Sequence, residues 1–196
     1  RGLQAALGAV AEKSTRGRMN SRIRLAGAEA ADAGALAEAG SRLFAQAYAR
    51  YSRPDDLEAH VEEYFGRQSV AEELEKRGVS YTMAYDGDAI AGFIKTRRGA
   101  APDSIPAVEA IEVQQLYVDA NRQRKGVGRA LMDSAVAAAK VEDAAGLWLS
   151  VWQDAEWATA FYDAYGFRRV GTAEFQLGQS CFMDYLMWLA LDSVDG

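Results

Sequence analysis

Apolar residues of this chain follow two different periods, and the changes between them divide the sequence into helices and strands. Apolar residues that recur every three or four positions predict helices, and apolar residues that alternate with polar ones predict strands. The predicted helices cover residues 29–51, 55–65, 69–77, 126–140 and 156–165. The predicted strands cover residues 21–25, 79–85, 89–98, 111–118, 146–152, 168–175 and 184–191. This order predicts one α+β domain with a mixed sheet and a βαβ unit in its second half.

Short polar signals mark two of the element boundaries. Ser69 is followed three residues later by Glu72, a capping-box pattern that predicts the start of the third helix at this point. The run Asp86, Gly87 and Asp88 is a hairpin signal, and it predicts that the strands on either side of it pair with each other.

The strand predicted over residues 111–118 changes the parity of its apolar positions halfway along. Its apolar residues are Ile111, Val113, Leu116 and Val118. Side chains of a strand alternate between two faces, so all four share one face only if an extra residue lies near Gln114 or Gln115. Such a β-bulge frees backbone groups and can separate the strand from its neighbour. We therefore predict a slot here, in which an extended ligand could pair with the edge of the strand.

Composition and charge narrow the classes of function. The chain has 196 residues, of which 49% are hydrophobic and 26% charged, values typical of one globular domain. A net charge of −6 argues against nucleic-acid binding, and no apolar run approaches the ~18 residues of a membrane span. The single Cys181 and the single His60 exclude a disulfide framework and a Cys- or His-rich metal site. We expect a cytoplasmic protein with no metal, nucleic-acid partner or membrane partner.

The N-terminal segment differs in composition from the rest. Residues 1–18 are rich in Ala and Gly with scattered Arg, and we expect them to be an extension that is not part of the fold. A processed targeting peptide is the alternative, although its apolar part is short and no clear cleavage site follows it. We assign residues 19–196 to a single domain.

A basic, glycine-containing segment lies between the predicted strand over residues 111–118 and the helix that follows it. The segment consists of Gln123, Arg124, Lys125, Gly126, Val127, Gly128 and Arg129, and Arg122 precedes it. The pattern Q/R-x-x-G-x-G/A is weak by itself, but its place at the start of a helix strengthens it. Glycines there let backbone N–H groups approach a ligand, and the helix dipole favours an anion such as a pyrophosphate. The alternative is a solvated basic turn.

Three segments, in this order and spacing, resemble the GNAT N-acetyltransferases. They are residues 111–132, 147–152 and 160–167. Within that superfamily the chain most resembles bacterial PaiA-type polyamine acetyltransferases, through the strand end Leu-x-Val-Trp, the run Phe175-Gln-Leu-Gly178 and the closing Asp184-x-Leu-Met187. The resemblance implies a GNAT fold, in which a mixed, mostly antiparallel sheet with a splayed parallel strand pair is flanked by helices.

The resemblance also implies an activity and a binding mode. The implied reaction moves the acetyl group of acetyl-CoA to a primary amine such as a polyamine, without a metal. Acetyl-CoA would lie between the bulged strand and the next parallel strand, with its pyrophosphate on the segment 123–129. Backbone groups of Tyr117 and Val118 would contact the pantetheine arm and polarise the acetyl carbonyl, stabilising the negative charge that develops on its oxygen.

Two residues become catalytic candidates through the same resemblance. Tyr162 stands where the family places a tyrosine near the coenzyme sulfur, and its phenol can protonate the departing thiolate; the alternative is a core aromatic residue. Glu112 stands where histone-type members carry a catalytic glutamate, and it would be the general base; the alternatives are a solvent-facing or cation-binding carboxylate. Glu156 departs from the family, which often has Asn there for a pantetheine contact.

Several questions remain open at the level of the sequence. Asp184 serves either the structure or the charge of the substrate, and Glu58, Glu62 and Glu63 form either an acidic mouth or a solvated helix face. Two other functions compete with small-amine acetylation: acetylation of a protein or peptide, and non-catalytic acyl-CoA binding in a regulatory module. Homodimers are common among relatives, so a homodimer is an open expectation.

Overall fold

A mixed sheet with the strand order β1-β2-β3-β4-β5-β7-β6 is the framework of the fold. This computed structural model describes residues 23–107 and 109–191. Its strands are β1 (Ile23–Gly27), β2 (Val79–Asp86), β3 (Ala89–Arg98), β4 (Ala110–Val118), β5 (Gly146–Trp152), β6 (Arg168–Leu177) and β7 (Ser180–Ala190). Its α-helices are α1 (Ala33–Tyr48), α2 (Pro54–Phe65), α3 (Arg67–Glu75), α4 (Val127–Val141) and α5 (Glu156–Tyr165). Neighbouring strands are antiparallel except β4 and β5, which are parallel.

This arrangement confirms the predicted α+β fold, in which a mixed, mostly antiparallel sheet contains a splayed parallel strand pair and is flanked by helices. The predicted N-terminal extension, residues 1–18, and the first two residues of the predicted first strand lie outside the described residues. Within the described ranges, no helix is long and apolar enough to cross a membrane.

The helices cover the two faces of the sheet with two separate apolar clusters. On one face α4 and α5 pack on the strands through Leu131, Met132 and Tyr162. On the other face α1, α2 and α3 pack through residues such as Phe44 and Phe65. The gap between β4 and β5 is therefore the place where side chains from opposite faces can meet.

The predicted bulge is present in β4. Lys95 of β3 lies opposite Gln115, and the next residue of β3, Thr96, lies opposite Val113, so Gln114 is the extra residue. Beyond the bulge β4 no longer pairs with β5, because their parallel pairing ends at Glu112. The two strands diverge from there, which opens the predicted slot.

The predicted boundaries of the third helix and of the last two strands are wrong. The capping box at Ser69 does not form: α3 begins at Arg67 after the extended Gly66, and the Glu72 carboxylate instead accepts a 3.0 Å hydrogen bond from Gln68. Strands β6 and β7 are longer than predicted and form one hairpin, because apolar residues near its turn, such as Leu177, pack against the helices on that face.

Candidate active site

A cavity of about 110 Å³ lies where β4 and β5 separate. Its walls come from the bulged part of β4, the end of β5, the first helix, the start of α5 and one residue of β7. The lining residues are Ala47, Tyr48, Tyr51, Val113, Gln114, Gln115, Leu116, Tyr117, Ser150, Val151, Trp152, Ala155, Trp157, Ala158, Tyr162 and Asp184. The bulge thus places two of the predicted residues, Tyr117 and Tyr162, at one cavity.

Tyr162 reaches this cavity from α5. The residue is 8% exposed, and its ring packs edge-on against Phe161 and Phe167 at centroid distances of 5.2 and 5.6 Å. Burial, with a smaller contribution from Tyr48, raises the pKa of Tyr162 well above the ordinary value of a phenol. The hydroxyl is therefore protonated at neutral pH, as a proton donor must be.

Asp184 of β7 supplies a carboxylate to the same cavity. Its Oδ2 accepts a 2.5 Å hydrogen bond from the hydroxyl of Ser150, whereas its Oδ1 is buried with no partner among the described residues. Burial raises the pKa of Asp184, and the Ser150 hydrogen bond offsets part of that rise. Asp184 is the one carboxylate among the lining residues, which include no lysine, arginine or histidine.

Two more tyrosines belong to the same electrostatic group. Burial and the charge of Asp184 raise the pKa of Tyr48 to about 12. Burial also raises the pKa of Tyr117 well above the ordinary value of a phenol, with contributions from Tyr48, Tyr162 and Asp184. Tyr48 was not among the predicted site residues, because it lies within the helix predicted over residues 29–51. A hydroxyl group on an otherwise apolar face of α1 is the feature of the sequence that could have indicated this residue.

The predicted pyrophosphate segment forms a tight turn before α4. Arg124 and Gly126 have positive φ angles of 58° and 86°, and a Cβ on Gly126 would have open space around it. The hydrogen bond from Ala130 N to Gly126 O, of 2.9 Å, begins the ladder of α4. The N–H groups of the first helical turn have no partner inside the helix, and they are the donors that an anion binds. The turn therefore fits a pyrophosphate.

Side chains of this turn are partly tied to the protein. Lys125 donates a 2.8 Å hydrogen bond to Asn121 O, and Gln123 donates a 3.4 Å hydrogen bond to Val118 O. Arg129 lies 3.8 Å from Asp133 and over the ring of Tyr165. Gln123, Arg124, Lys125 and Arg129 are all exposed.

Arg122, which precedes this segment, has an acidic partner on a neighbouring hairpin. Its Nε lies 3.2 Å from a carboxylate oxygen of Asp86, so its charge is partly neutralised. The basic character of the turn comes mainly from Arg124, Lys125 and Arg129.

Glu112 is close to the cavity in sequence but is not part of its lining. Its carboxylate is held by Arg97, with N···O distances of 2.8 Å from Nη2 and 3.1 Å from Nε. Glu112 precedes Gln114, the extra residue of the bulge, by two positions. In a regular strand the two side chains would share a sheet face, but the bulge redirects the side chain of Gln114. The role of Glu112 as general base stays a prediction.

Other residues singled out from the sequence lie outside the cavity wall. Glu156 is exposed in the first turn of α5. The acidic side chains of α2 that were considered as a mouth are also exposed and do not line the cavity; they are Glu58, Glu62 and Glu63. His60 stacks between Phe44 and Tyr64, with centroid distances of 4.5 and 4.3 Å. The thiol-bearing Cys181 is exposed.

A second cavity, of about 190 Å³, lies between α3, α4 and strands β1 to β3. Its lining contains none of the residues predicted to bind acetyl-CoA or to catalyse its reaction. In the part of the chain that the structure describes, no group of three or more His, Cys, Asp or Glu side chains is arranged to hold a metal ion.

Comparison with known proteins identifies the family. A profile of the acetyltransferase (GNAT) domain matches residues 45–189. An uncharacterised N-acetyltransferase of Mycobacterium bovis is 31% identical over 157 residues, which are 80% of this chain and 96% of that protein. Another, encoded in the pepI 3′ region of Lactobacillus delbrueckii subsp. lactis, is 26% identical over 76% of this chain and 86% of that one.

Comparison with solved structures confirms the predicted GNAT fold. The crystal structure of PaiA N-acetyltransferase from Thermoplasma acidophilum in complex with coenzyme A superposes with a TM-score of 0.72 at 18% identity, covering 86% of this chain and 99% of that chain. The chain belongs to the GNAT acetyltransferase family, and it is an acetyl-CoA-dependent N-acetyltransferase.

Proposed function

We propose that this enzyme acetylates a small cationic primary amine, such as a polyamine. The observation that carries the proposal is the narrow cavity in which Asp184 is the one carboxylate and no basic side chain is present. A buried negative charge attracts an ammonium group and disfavours an anionic acceptor. A cavity of about 110 Å³ admits a slender alkylamine.

Aromatic rings at the cavity suit an acceptor with a second positive charge. Tyr51 and Trp157 line the cavity while remaining 48% and 61% exposed, and the ring of Trp152 packs edge-on against Tyr51 at 4.7 Å. An ammonium over the face of such rings gains about 0.5–2 kcal/mol. A polyamine could place its distal ammonium there while its reactive amine lies deeper.

Residues of this chain divide the chemistry among them. Acetyl-CoA supplies the activated acetyl group when it is bound. In our proposal the turn over residues 123–129 binds the pyrophosphate, and backbone groups of Tyr117 and Val118 hold the arm and polarise the acetyl carbonyl. Tyr162 donates its phenolic proton to the departing sulfur.

Thiol release from acetyl-CoA against a panel of amines tests the proposal. The panel includes spermidine, spermine, amino acids, aminoglycosides and basic peptides, and binding of acetyl-CoA is measured separately by calorimetry. We expect turnover on the polyamines. Turnover on peptides alone would contradict the small-amine assignment, and acetyl-CoA binding without any turnover would favour a regulatory binding module.

A further inference from the structure

We propose that Asp184 is the general base that removes the proton from the acceptor ammonium. The inference rests on the proposed function in one respect, that the acceptor is a basic amine. Such an amine is protonated at neutral pH and cannot attack the acetyl carbon until it loses a proton. The enzyme therefore needs a proton acceptor inside the same cavity as Tyr162.

The geometry singles out the Oδ1 atom of Asp184. Asp184 is 5% exposed, it lines the cavity with Tyr162, and Oδ1 has no hydrogen-bond partner among the described residues. The other oxygen is fixed by Ser150 on the neighbouring strand. A carboxylate that is hydrogen-bonded at one oxygen and unpaired at the other keeps the unpaired oxygen available to take a proton.

Glu112, the alternative base, is differently placed. Its carboxylate is occupied by two contacts with Arg97, and the residue does not line the cavity. Among the described residues, the titratable groups whose pKa values Asp184 raises are tyrosines, Tyr48 from α1 and Tyr117 from β4. Burial also raises the pKa of Asp184, which brings this pKa nearer to the pKa of the acceptor ammonium.

In the proposed step the acceptor nitrogen loses two protons in all. The ammonium nitrogen gives one proton to Oδ1 of Asp184, its lone pair forms the C–N bond to the acetyl carbon, and the C–S bond breaks. The sulfur takes the phenolic proton of Tyr162. The second nitrogen proton returns to the phenolate oxygen, and Asp184 releases its proton to solvent.

Asp184→Asn tests the step with two acceptors that differ in basicity. The first is the best amine of the panel, and the second is 2,2,2-trifluoroethylamine, which is already neutral at neutral pH. With the basic amine we expect kcat/KM at pH 7.5 to fall by about 100-fold, and the loss should shrink as the pH rises. With the neutral amine the loss should stay below about tenfold, because no proton has to be removed first.

Glu174→Gln is the matched control. Glu174 is an exposed carboxylate on β6, opposite Met183 and therefore on the other sheet face from Asp184, and its change removes the same charge. We expect wild-type kinetics from it. Equal losses with both amines at every pH in Asp184→Asn would show a structural role and overturn the inference. A loss that depends on amine basicity in Glu112→Gln but not in Asp184→Asn would assign the base to Glu112 instead.

Two further measurements distinguish this inference from the proposed function. Ser150→Ala removes the hydrogen bond that favours the charged carboxylate, so the acidic limb of the pH–rate profile should move to higher pH. An unmoved limb would contradict the assignment. NMR titration of the Asp184 carboxyl carbon needs no acceptor: we expect a pKa above the ordinary aspartate value, and an ordinary or lower one would overturn the inference even if every amine on the panel failed.

Discussion

Arg42 of α1 forms an ion pair with Asp119, the residue that follows β4. The same guanidinium donates a 3.1 Å hydrogen bond to Ile90 O, and Asp119 also accepts a 3.0 Å hydrogen bond from Asn121 N. Burial would raise the pKa of Asp119, but the Asn121 amide and Arg42 outweigh it and hold the pKa below its ordinary value. The pair thereby joins α1, which lines the cavity, to the chain that leads into the turn over residues 123–129, where we place the pyrophosphate.

Arg42→Met should weaken acetyl-CoA binding although Arg42 is not among the residues of the turn. The change leaves the buried Asp119 carboxylate without its cation, so the path of the chain into the turn loses a restraint. We expect the Kd for acetyl-CoA to rise several-fold. We also expect the free energy of unfolding to fall by about 1–2 kcal/mol, since Arg42 is partly exposed and solvent screens the pair.

Calorimetric titration and urea unfolding measure the two effects of Arg42→Met. Arg77→Met is the control, because Arg77 is exposed in the turn that follows α3 and the change in charge and volume is the same. A normal Kd in Arg42→Met together with reduced stability would show that the pair supports the fold without ordering the turn.

Deletion of Gln114 should give a folded protein that does not bind acetyl-CoA. Removing the extra residue puts the apolar residues on both sides of it in one alternating register, so a regular strand keeps the same buried face. A regular β4 could then continue its pairing with β5 beyond Glu112, where that pairing now ends. The slot between the strands would close.

Circular dichroism and acetyl-CoA titration of the deletion variant check this prediction. Gln114→Ala keeps the residue count and should keep both the bulge and binding. Tight acetyl-CoA binding by the deletion variant would mean that the separation of the strands does not depend on the bulge.

The fold could be predicted further from the sequence than the site could. The bulge was predictable because parity is a local property: Ile111 and Leu116 cannot share a face in a regular strand. The lengths of β6 and β7 were underestimated, because exposed residues of their hairpin interrupt the alternation of apolar and polar positions. Pairings such as Glu112 with Arg97 join positions far apart in the chain, and no local pattern reveals them.

The role of Asp184 could not be predicted from the sequence either. The resemblance pointed to the residue, but the sequence favoured a structural role for it over contact with a charged substrate. Only the three-dimensional arrangement brings its carboxylate together with Tyr48, which comes from a helix more than a hundred positions earlier.

Tyr162→Phe should lower kcat and leave acetyl-CoA binding almost unchanged. The ring still fills its place against Phe161 and Phe167, but the proton for the departing sulfur is gone. Loss of a general acid costs about 10²–10⁴-fold in rate. Steady-state kinetics with the best panel amine and calorimetry with acetyl-CoA measure the two quantities.

Tyr165→Phe on the same helix is the control for Tyr162→Phe. Its hydroxyl donates a 2.6 Å hydrogen bond to Asp133 on the exposed side of α4, away from the cavity lining. We expect kcat within about twofold of wild type, because a surface substitution far from the reacting atoms has little effect. Similar losses of kcat in both variants would indicate a general effect on α5 and remove the case for Tyr162 as the acid.

Asp184→Asn should stabilise the folded protein at pH 7 even as it lowers activity. The pKa of Asp184 is raised in the folded state, so ionising it costs more there than in the unfolded chain. Stability from this group is therefore complete at low pH and falls as the pH rises from about 3.9, the ordinary aspartate value, through the higher folded pKa. Asparagine carries no charge at any pH and can still accept the hydrogen bond from Ser150, so it escapes this loss.

Urea unfolding of wild type and Asp184→Asn between about pH 3 and pH 8 measures the difference. We expect the variant to gain about 0.5–2 kcal/mol at pH 7, the range typical of a single stabilising substitution, and to gain nothing at about pH 3, where the aspartate is protonated in both states. Glu174→Gln is the control, because it removes a carboxylate charge from an exposed position. An Asp184→Asn variant that is less stable than wild type at pH 7 would mean that the buried charge supports the fold, and the carboxylate would then be structural.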